Sequence, residues 1–369
     1  MTAAPPSPPA PPAPPFGRFF LPGPTDVHPE VLAAMQRPMI GHRSIAMERL
    51  LERLAPSLAQ LFRTSRIVLV GTTSATGFME LAVRNGVRQR ALSLVNGAFS
   101  ERFAKLVRAC GKECIRLDVP LGCAVEPDML RDALRRTPVD AVTLVHSETS
   151  TGVLQDVAAL AAVAREFGDV LVLVDAVTSL AGSPVETDRW GLDFVFTGSQ
   201  KALALPPGLA LGVASERMLE RARALPNRGL YFDLVSFTEA TVKHQPTNTP
   251  AISLLYALET QLGRIEREGG VEARWRRHDA MRSRVEAWSE ERGVPFLPRA
   301  ERRSWTVSCL KVPEARGAKA IVGALKDAGW TIGAGYGSLK ETTIRIGHMG
   351  DHSVGALEEL LALLAGLVS

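Results

Sequence analysis

An aspartate and a lysine that follow two short apolar runs are the residues of this chain best placed for chemistry. Residues 171–174 are apolar and precede Asp175, and residues 194–196 are apolar and precede a polar segment that ends in Lys201. Apolar runs of this length are typical of buried strands in a parallel sheet. Ligands of such sheets bind outside the carboxyl ends of the strands, where both side chains should lie.

An amine and a carboxylate at that edge are the two groups that pyridoxal phosphate needs. The lysine would form a Schiff base, and the carboxylate would pair with the protonated pyridine nitrogen. A charge pair at about 4 Å and an effective dielectric near 20 contributes about 4 kcal/mol before desolvation, enough to keep the ring protonated. Lys201 needs a lowered pKa to act as a nucleophile at neutral pH. Taken alone, a strand-end Asp175 and a solvated Lys201 would explain the pattern equally well.

Three further segments could complete such a site. The turn Ser74-Ala75-Thr76-Gly77 precedes a predicted helix, so its free N–H groups and hydroxyls favour an anion, although an ordinary capped turn would look the same. It lacks the spacing of a nucleotide P-loop. Phe99 follows another predicted strand and could stack on a cofactor ring, although a core phenylalanine is the alternative. Thr149 lies in a hydroxyl-rich turn, residues 146–152, that could reach the cofactor or a substrate.

Alternating strands and helices should position these residues. Predicted strands cover residues 67–70, 91–95, 114–117, 141–145, 171–174, 194–197 and 209–214. Helical stretches between them indicate an α/β fold with a mostly parallel seven-stranded sheet. Residues 17–40 are rich in Pro and Gly and should form an irregular arm. Beyond Pro250, a long helix from 251 to about 268 leads into a smaller α+β domain.

Composition and domain organisation fit an ordinary globular protein. The chain has 369 residues, 46% of them hydrophobic and 22% charged, with a net charge of +4 that gives no case for nucleic acid. We expect a disordered Pro-rich tail over residues 1–16, an arm and large domain over 17–250, and a small domain over 251–369. The basic cluster at 274–278 should be a solvated helix face. The four cysteines lack the spacing of a zinc site or of a disulfide scaffold, so we expect no metal site and a reducing, cytoplasmic location. No segment is long and apolar enough to span a membrane.

Several motifs, in order along the chain, resemble those of the class V aminotransferases. The motifs are Pro22-Gly23-Pro24-Thr25, Gly41-His42-Arg43-Ser44, Ser74-Ala75-Thr76-Gly77, Glu148-Thr149-Ser150-Thr151-Gly152, Val174-Asp175-Ala176-Val177, Gly198-Ser199-Gln200-Lys201 and Arg345-Ile346-Gly347. The resemblance runs from about Phe20 to the C-terminus and is strongest to alanine–glyoxylate and serine–pyruvate (serine–glyoxylate) enzymes. It implies the fold of type I pyridoxal-phosphate enzymes and a homodimer with shared active sites.

The resemblance also implies a role for individual residues. Lys201 and Asp175 would be catalytic, and Arg345, Gly23, His42 and Arg43 would bind substrate. The residues that would bind the cofactor are Ser74, Ala75, Thr76, Phe99, Thr149, Asp175, Val177, Gln200, Lys201, Asn248 and Thr249. Of these, His42, Arg43, Asn248 and Thr249 would reach the site of the neighbouring subunit, although the segment 245–249 matches the family less well.

The expected reaction is transamination between alanine or serine and glyoxylate or pyruvate through a Lys201 Schiff base. Aminoethylphosphonate, ureidoglycine or a dicarboxylate are alternative substrates. A cysteine desulfurase is less expected because the loop Gly333-Ala334-Gly335-Tyr336-Gly337-Ser338 carries no cysteine. A non-catalytic relative of the fold would have lost Lys201, Asp175 or Arg345, and all three are present.

Overall fold

The computed structural model describes residues 15–313 and 316–368, so the first 14 residues of the predicted tail lie outside the described part. Within it, the strands are Phe19–Phe20 (β1), Val68–Gly71 (β2), Arg90–Val95 (β3), Glu113–Asp118 (β4), Ala141–Val145 (β5), Ser147–Glu148 (β6), Val153–Leu154 (β7), Leu171–Asp175 (β8), Phe194–Gly198 (β9), Ala210–Ala214 (β10), Ser308–Lys311 (β11), Thr331–Ala334 (β12) and Thr343–Ile346 (β13). The α-helices of the same residues are Pro29–Ala34 (α1), Ile45–Phe62 (α2), Ala75–Gly86 (α3), Ala98–Ala109 (α4), Pro127–Arg136 (α5), Val157–Arg165 (α6), Glu216–Ala224 (α7), Leu234–Val242 (α8), Ile252–Arg267 (α9), Gly270–Arg292 (α10), Ala318–Asp327 (α11) and Val354–Val368 (α12).

A seven-stranded sheet forms the centre of the molecule, in the order β2-β10-β9-β8-β5-β3-β4. Only β10 runs against its neighbours, and the other pairs of this sheet are parallel. The predicted α/β fold with a mostly parallel seven-stranded sheet is therefore confirmed. All seven predicted strands agree with observed strands to within one residue at each end.

Helices cover both faces of this sheet, because the strands are apolar on both sides. Leu171 and Leu173 of β8 pack in a cluster with residues of α3, α4 and α7. Val172 and Val174 of the same strand pack in a second cluster with residues of α2, α5, α6 and α9. Both faces of β8 are thereby buried, and the polar residue that ends the strand lies at the sheet edge.

A second sheet, in the order β1-β12-β13-β11, lies in the C-terminal part of the chain. It packs against α10, α11 and α12 in a core of its own. The N-terminal arm contributes β1, whose Phe20 is fully buried in this core and pairs in parallel with Ile332. The boundary between domains at residue 250 stays a prediction.

The arm is more regular than its composition predicts. Besides β1, it contains α1, whose N-cap residue His28 accepts a hydrogen bond from Glu30 N and which begins at Pro29. Proline is favoured at the first helical position because its missing N–H is not needed there. The prediction of an irregular arm was therefore wrong at these two elements.

The prediction of a solvated basic face on α10 was also wrong. Arg274 and His278 are buried. Arg274 donates from Nε and Nη2 to the carbonyl of Ala202, at 3.2 and 2.8 Å, and from Nη1 to Asp351 at 2.8 Å. A buried guanidinium of this kind is stable only because acceptors satisfy it. Although α10 has 23 residues, neither it nor any other helix of the described ranges is long and apolar enough to cross a membrane.

Candidate active site

Asp175 and Lys201 lie at the same edge of the seven-stranded sheet. Asp175 is the last residue of β8, and Lys201 follows the end of the neighbouring parallel strand β9. The parallel register aligns Asp175 with Phe196, so the polar segment after β9 extends past the aspartate. The two side chains are 4% and 6% exposed, which makes both of them buried charged groups.

A cavity of about 180 Å³ opens at this edge. Nine of the predicted cofactor-binding residues line it: Ser74, Ala75, Thr76, Phe99, Thr149, Asp175, Val177, Gln200 and Lys201. These residues come from five separate stretches of sequence, and the sheet brings the ends of those stretches together. The structure thus gathers most of the predicted site around one enclosed space.

Burial dominates the electrostatics of Asp175. Its Oδ1 accepts a hydrogen bond from Val177 N at 2.8 Å. Burial raises the pKa of this carboxyl to about 7, and the nearby Glu148 carboxylate adds to the rise, while the Val177 amide and Lys201 oppose it. In the described residues, Oδ2 has no hydrogen-bond partner, so the carboxylate has an oxygen free for a cation in the cavity.

Lys201 lies in a confined space. Its Nζ donates a short hydrogen bond to the carbonyl of Pro22 and lies 5.7 Å from the ring centroid of Phe99. Burial lowers the pKa of its amine to about 8, and the positive charge of Arg345 lowers it further, while Asp175 opposes the shift. A Cβ atom at Gly23 would collide with Nζ, Cε and Cδ of Lys201, so the chain needs a glycine there.

The part of the cavity at the start of α3 is suited to an anion. Ser74 is the N-cap residue of α3, but its side chain caps no backbone N–H. The Gly77 amide donates to the Ser74 carbonyl, whereas the amides of Ala75 and Thr76 have no partner among the described residues, and the helix dipole adds partial positive charge. Thr76 and Gln200 add further polar groups to the same wall.

Phe99 is held by the buried carboxylate of Glu148, a residue that the sequence analysis named only within a motif. Glu148 Oε2 accepts hydrogen bonds from the amides of Phe99 and Ser100, at 3.1 and 2.9 Å, and Oε1 accepts one from Ser150 Oγ at 2.6 Å. The carboxylate thus satisfies free amides in the first turn of α4. Gly97 leaves room for it, because a Cβ there would overlap Glu148 Cγ and Cδ.

Arg345 lies beside the cavity, on β13. Its Nε donates to the carbonyl of Ala334 at 2.9 Å, and its Nη1 donates to the carbonyl of Thr149 at 3.2 Å. Two anchored nitrogens fix the plane of the guanidinium, and Nη2 has no hydrogen-bond partner among the described residues. The positive charge of Arg345 contributes to the lowered pKa of Lys201.

Six predicted site residues do not line this cavity in the single chain. Gly23 and Arg345 lie beside it, and the other four lie in two other segments. His42 and Arg43 lie in the turn before α2, and Asn248 and Thr249 lie in the segment before α9. Asn248 donates only to its neighbour Thr247. Because these four were expected at the site of a neighbouring subunit, they stay predictions.

Sequence reasoning missed several residues of the site. Met79, Arg102, Val145, Ser147 and Thr178 also line the cavity. Helical spacing could have found Arg102, three positions after Phe99 on α4, and strand alternation could have found Ser147, two positions before Thr149. No local signal in the sequence marks the Pro22 carbonyl, which is brought to Lys201 by the fold.

The residues present fit pyridoxal phosphate. Asp175 is a buried residue whose Oδ2 has no hydrogen-bond partner among the described residues, which suits a pyridinium nitrogen. Phe99 and Val177 line the same cavity, and the helix N-terminus at Ser74 suits a phosphate. Lys201 supplies an amine with a depressed pKa for the aldehyde.

Comparison with known proteins identifies the family of the chain. The family model described as aminotransferase class V matches residues 20–339. An uncharacterised aminotransferase of Methanocaldococcus jannaschii is 37% identical over 94% of this chain and 90% of its own length. An L-aspartate–glyoxylate aminotransferase of Paracoccus denitrificans is 31% identical, and a serine–glyoxylate aminotransferase of Methylorubrum extorquens 30%, each over 90% of this chain and 86% of its own length.

Among solved structures, an alanine–glyoxylate aminotransferase of Nostoc superposes with a TM-score of 0.91 at 28% identity, covering 99% of this chain and 98% of that one. The family, the cofactor and the class of enzyme predicted from the sequence are confirmed. With its cavity, its buried amine and carboxylate and its relatives in agreement, the chain belongs to the class V aminotransferases and is a pyridoxal-phosphate-dependent transaminase.

Proposed function

We propose that this enzyme transfers the amino group of alanine or serine to glyoxylate or pyruvate, with Lys201 as the amine that bonds to the cofactor aldehyde. The observation that carries the proposal is the buried amine of Lys201, which shares the cavity with the Asp175 carboxylate and is influenced by the charge of Arg345. Asp175 would anchor the cofactor, and Arg345 would hold the α-carboxylate of the amino acid. Both act on the same buried Nζ, as transfer of a proton from the α-carbon requires.

The bound cofactor would supply the electron sink that makes the α-proton of the substrate acidic. The residues of this chain would do the rest. Arg345 would orient the substrate carboxylate through its free Nη2. Lys201 Nζ, whose pKa lies at about 8, can be neutral near physiological pH and would accept and return the proton. Burial of the site would keep water from competing for that proton.

The acceptor is supported by the relatives, whose names repeatedly contain glyoxylate. Alanine and serine are each named in one of these relatives as well. One carboxylate clamp at Arg345 would serve alanine, serine, glyoxylate and pyruvate, since each carries a carboxylate next to the reacting carbon. Aminoethylphosphonate lacks that carboxylate, which makes Arg345 a poor match for it.

Aspartate is a second candidate donor, because Arg102 offers a further cation. Arg102 is an exposed residue that lines the cavity, and its guanidinium carbon lies 5.1 Å from the Phe99 ring centroid. No carboxylate of the described residues forms an ion pair with it. A distal carboxylate on the donor would supply the missing anion. One relative, the enzyme of Paracoccus denitrificans, is named for aspartate.

A cysteine desulfurase activity is disfavoured. Cys309, which pairs with Arg345 across β11 and β13, is fully buried. Burial raises the pKa of its thiol to about 11, whereas a desulfurase needs a mobile thiolate.

We also propose that the active unit is a homodimer in which His42, Arg43, Asn248 and Thr249 complete the partner's site. Large apolar side chains are exposed near these segments, among them Met39 (63%), Ile45 (66%) and Val242 (61%). Exposed apolar groups of this size are typical of a surface that another chain covers. The cytoplasmic location stays a prediction.

The proposal can be tested by two measurements on the purified enzyme. Borohydride reduction of the cofactor-loaded protein should label a single peptide, and the label should map to Lys201. Donors, with alanine, serine and aspartate among them, should then be ranked by kcat/KM with glyoxylate and with pyruvate. A label on another lysine would refute the role of Lys201, and a preference for aspartate would select the second candidate.

A further inference from the structure

Tyr336 is an aromatic side chain that lies next to the site, beside Phe99 and Arg345, and lines a neighbouring cavity. Its ring centroid lies 6.0 Å from that of Phe99, and the guanidinium carbon of Arg345 lies 5.7 Å from it. The residue is 42% exposed, so its ring contacts the site on one side and solvent on the other. Tyr336 thereby connects the residue that would stack on the cofactor with the residue that would hold the substrate.

The backbone around Tyr336 is fixed. Gly335 N donates to the carbonyl of Thr343 at 2.7 Å, and Leu339 N donates to the carbonyl of Tyr336 at 3.1 Å. A Cβ atom at Gly335 would overlap the carbonyl of Leu339 and the hydroxyl of Thr343, so the turn is closely packed. The Tyr336 ring therefore projects from an anchored position.

Backbone also confines Lys201. Gly23 lies against Lys201 with no room for a Cβ, and the Pro22 carbonyl accepts the bond from Nζ. A substrate that contacts both Lys201 and Arg345 would therefore lie close to the Phe99 ring, 5.7 Å from Nζ, and to the Tyr336 ring, 5.7 Å from the guanidinium carbon. The side chain of the amino acid has to fit in what remains.

We propose that Tyr336 is a specificity-determining residue whose ring limits the donor to amino acids with short side chains. The inference rests on the proposed function, since it places the α-carboxylate of the donor at Arg345 and its α-carbon at Lys201. Removal of the ring opens the space between Phe99 and Arg345 toward solvent. Longer aliphatic side chains then enter, because the aromatic wall no longer excludes them.

The test uses three straight-chain donors that carry their amino group on the α-carbon: alanine, aminobutanoate and aminopentanoate. Their specificity constants are compared in four variants of the cofactor-loaded enzyme. In Tyr336→Ala, the ratio of the specificity constant for aminopentanoate to that for alanine should rise by about tenfold or more. Discrimination of this size is typical when substrates differ by methylene groups in an apolar pocket. Tyr336→Trp should lower the same ratio, and Tyr336→Phe should leave it near the wild-type value. Leu363→Ala, which removes an equally exposed apolar side chain on α12, is the matched control.

A binding measurement without turnover complements the kinetics. Propanoate and pentanoate, which carry the carboxylate but no amino group, can be titrated calorimetrically into the loaded protein. Tyr336→Ala should strengthen the binding of pentanoate relative to propanoate. The proposal is overturned by an unchanged ratio in both experiments, by the same change in Tyr336→Phe, or by equal loss of all carboxylates, which would make Tyr336 only a support for Arg345.

Failure of the proposed function would look different. If the wild-type enzyme prefers aspartate over alanine, the donor assignment fails. The dependence of the specificity constants on side-chain length in Tyr336→Ala still tests whether the Tyr336 ring limits the length of the donor. If borohydride labels another lysine, the catalytic assignment fails, and the carboxylate titrations remain interpretable.

Discussion

The backbone carbonyl of Thr149 accepts a hydrogen bond from Arg345 Nη1 at 3.2 Å, so one residue contacts both halves of the site. The Thr149 side chain lines the cofactor cavity, where its hydroxyl shares a 2.5 Å hydrogen bond with Thr178. Its carbonyl orients the guanidinium. If the cofactor and the substrate bind as proposed, the short loop that follows β6 would set the spacing between them.

Arg345→Gln should weaken the use of every amino donor and leave cofactor retention intact. Loss of a charged hydrogen bond to the carboxylate costs about 2–3 kcal/mol, or roughly 30- to 150-fold in kcat/KM. Steady-state kinetics and the cofactor content of the purified variant measure the two effects. Arg284→Gln, which breaks a surface ion pair with Glu358, is the control and should change neither. Equal loss of cofactor and activity would make Arg345 structural.

Gly23→Ala should impair the site itself, whereas Gly17→Ala should not. Both glycines have positive φ values, +104° and +93°, so each substitution costs about 1–2 kcal/mol of backbone strain. Only at Gly23 would the new methyl group meet Lys201, whereas nothing lies within 4 Å at Gly17. Cofactor binding, followed by absorbance titration of the apoprotein, should weaken about tenfold or more in Gly23→Ala alone. Equal behaviour of the two variants would contradict the contact.

Asp175→Asn should reduce kcat/KM by about a thousandfold, since a close charge pair with the pyridinium contributes about 4 kcal/mol. Asp193→Asn is a matched control. Asp193 is 2% exposed and accepts hydrogen bonds from Val172 N and Ser215 Oγ, but it does not line the cavity. Thermal denaturation of both variants separates loss of stability from loss of the pyridinium partner. A similar loss of activity in both would point to folding rather than to the cofactor.

The cofactor-free protein should lose stability as the pH rises because of Asp175. Burial raises the pKa of this carboxyl from 3.8 to about 7 in the folded chain, so between these values the folded state holds a proton that the unfolded state has released. The contribution is fully present below pH 3.8 and is lost as the pH rises through about 7. Its size is on the order of 4 kcal/mol.

Asp175→Asn removes this titration. Denaturant titrations of both apoproteins give the difference in the free energy of unfolding, variant minus wild type. This difference should increase from about pH 4 to about pH 7 and level off above pH 7. A flat difference over this range would show that the carboxyl ionises normally in the fold. Buried histidines also change the free energy of unfolding over this pH range, but they do so equally in the variant and in the wild type.

The sequence predicted the central sheet well because its strands are continuous apolar runs, and β5 was located without error at either end. It did not predict β1, since a strand of two residues has no periodicity and its partner Thr331–Ile332 is distant in the chain. The burial of Arg274 could not be foreseen either, because its acceptor Ala202 is brought near only by the tertiary fold.

The residues of the site also divide into those that local sequence predicts and those that only the tertiary fold brings together. Residues at strand ends and helix starts, such as Asp175 and Ser74, could be assigned from local pattern. Tyr336 could not, because its relation to Phe99 depends on how the C-terminal sheet meets the large one.

The arm is attached to both sheets, and this has a mechanical consequence. Strand β1 pairs with β12 of the C-terminal sheet, while Thr25 N donates to the carbonyl of Gln200, directly before Lys201, at 3.1 Å. The intervening residues 21–24 form a short tether across the reactive amine. A rotation of one sheet against the other would therefore strain this tether and displace the Pro22 carbonyl from Lys201 Nζ.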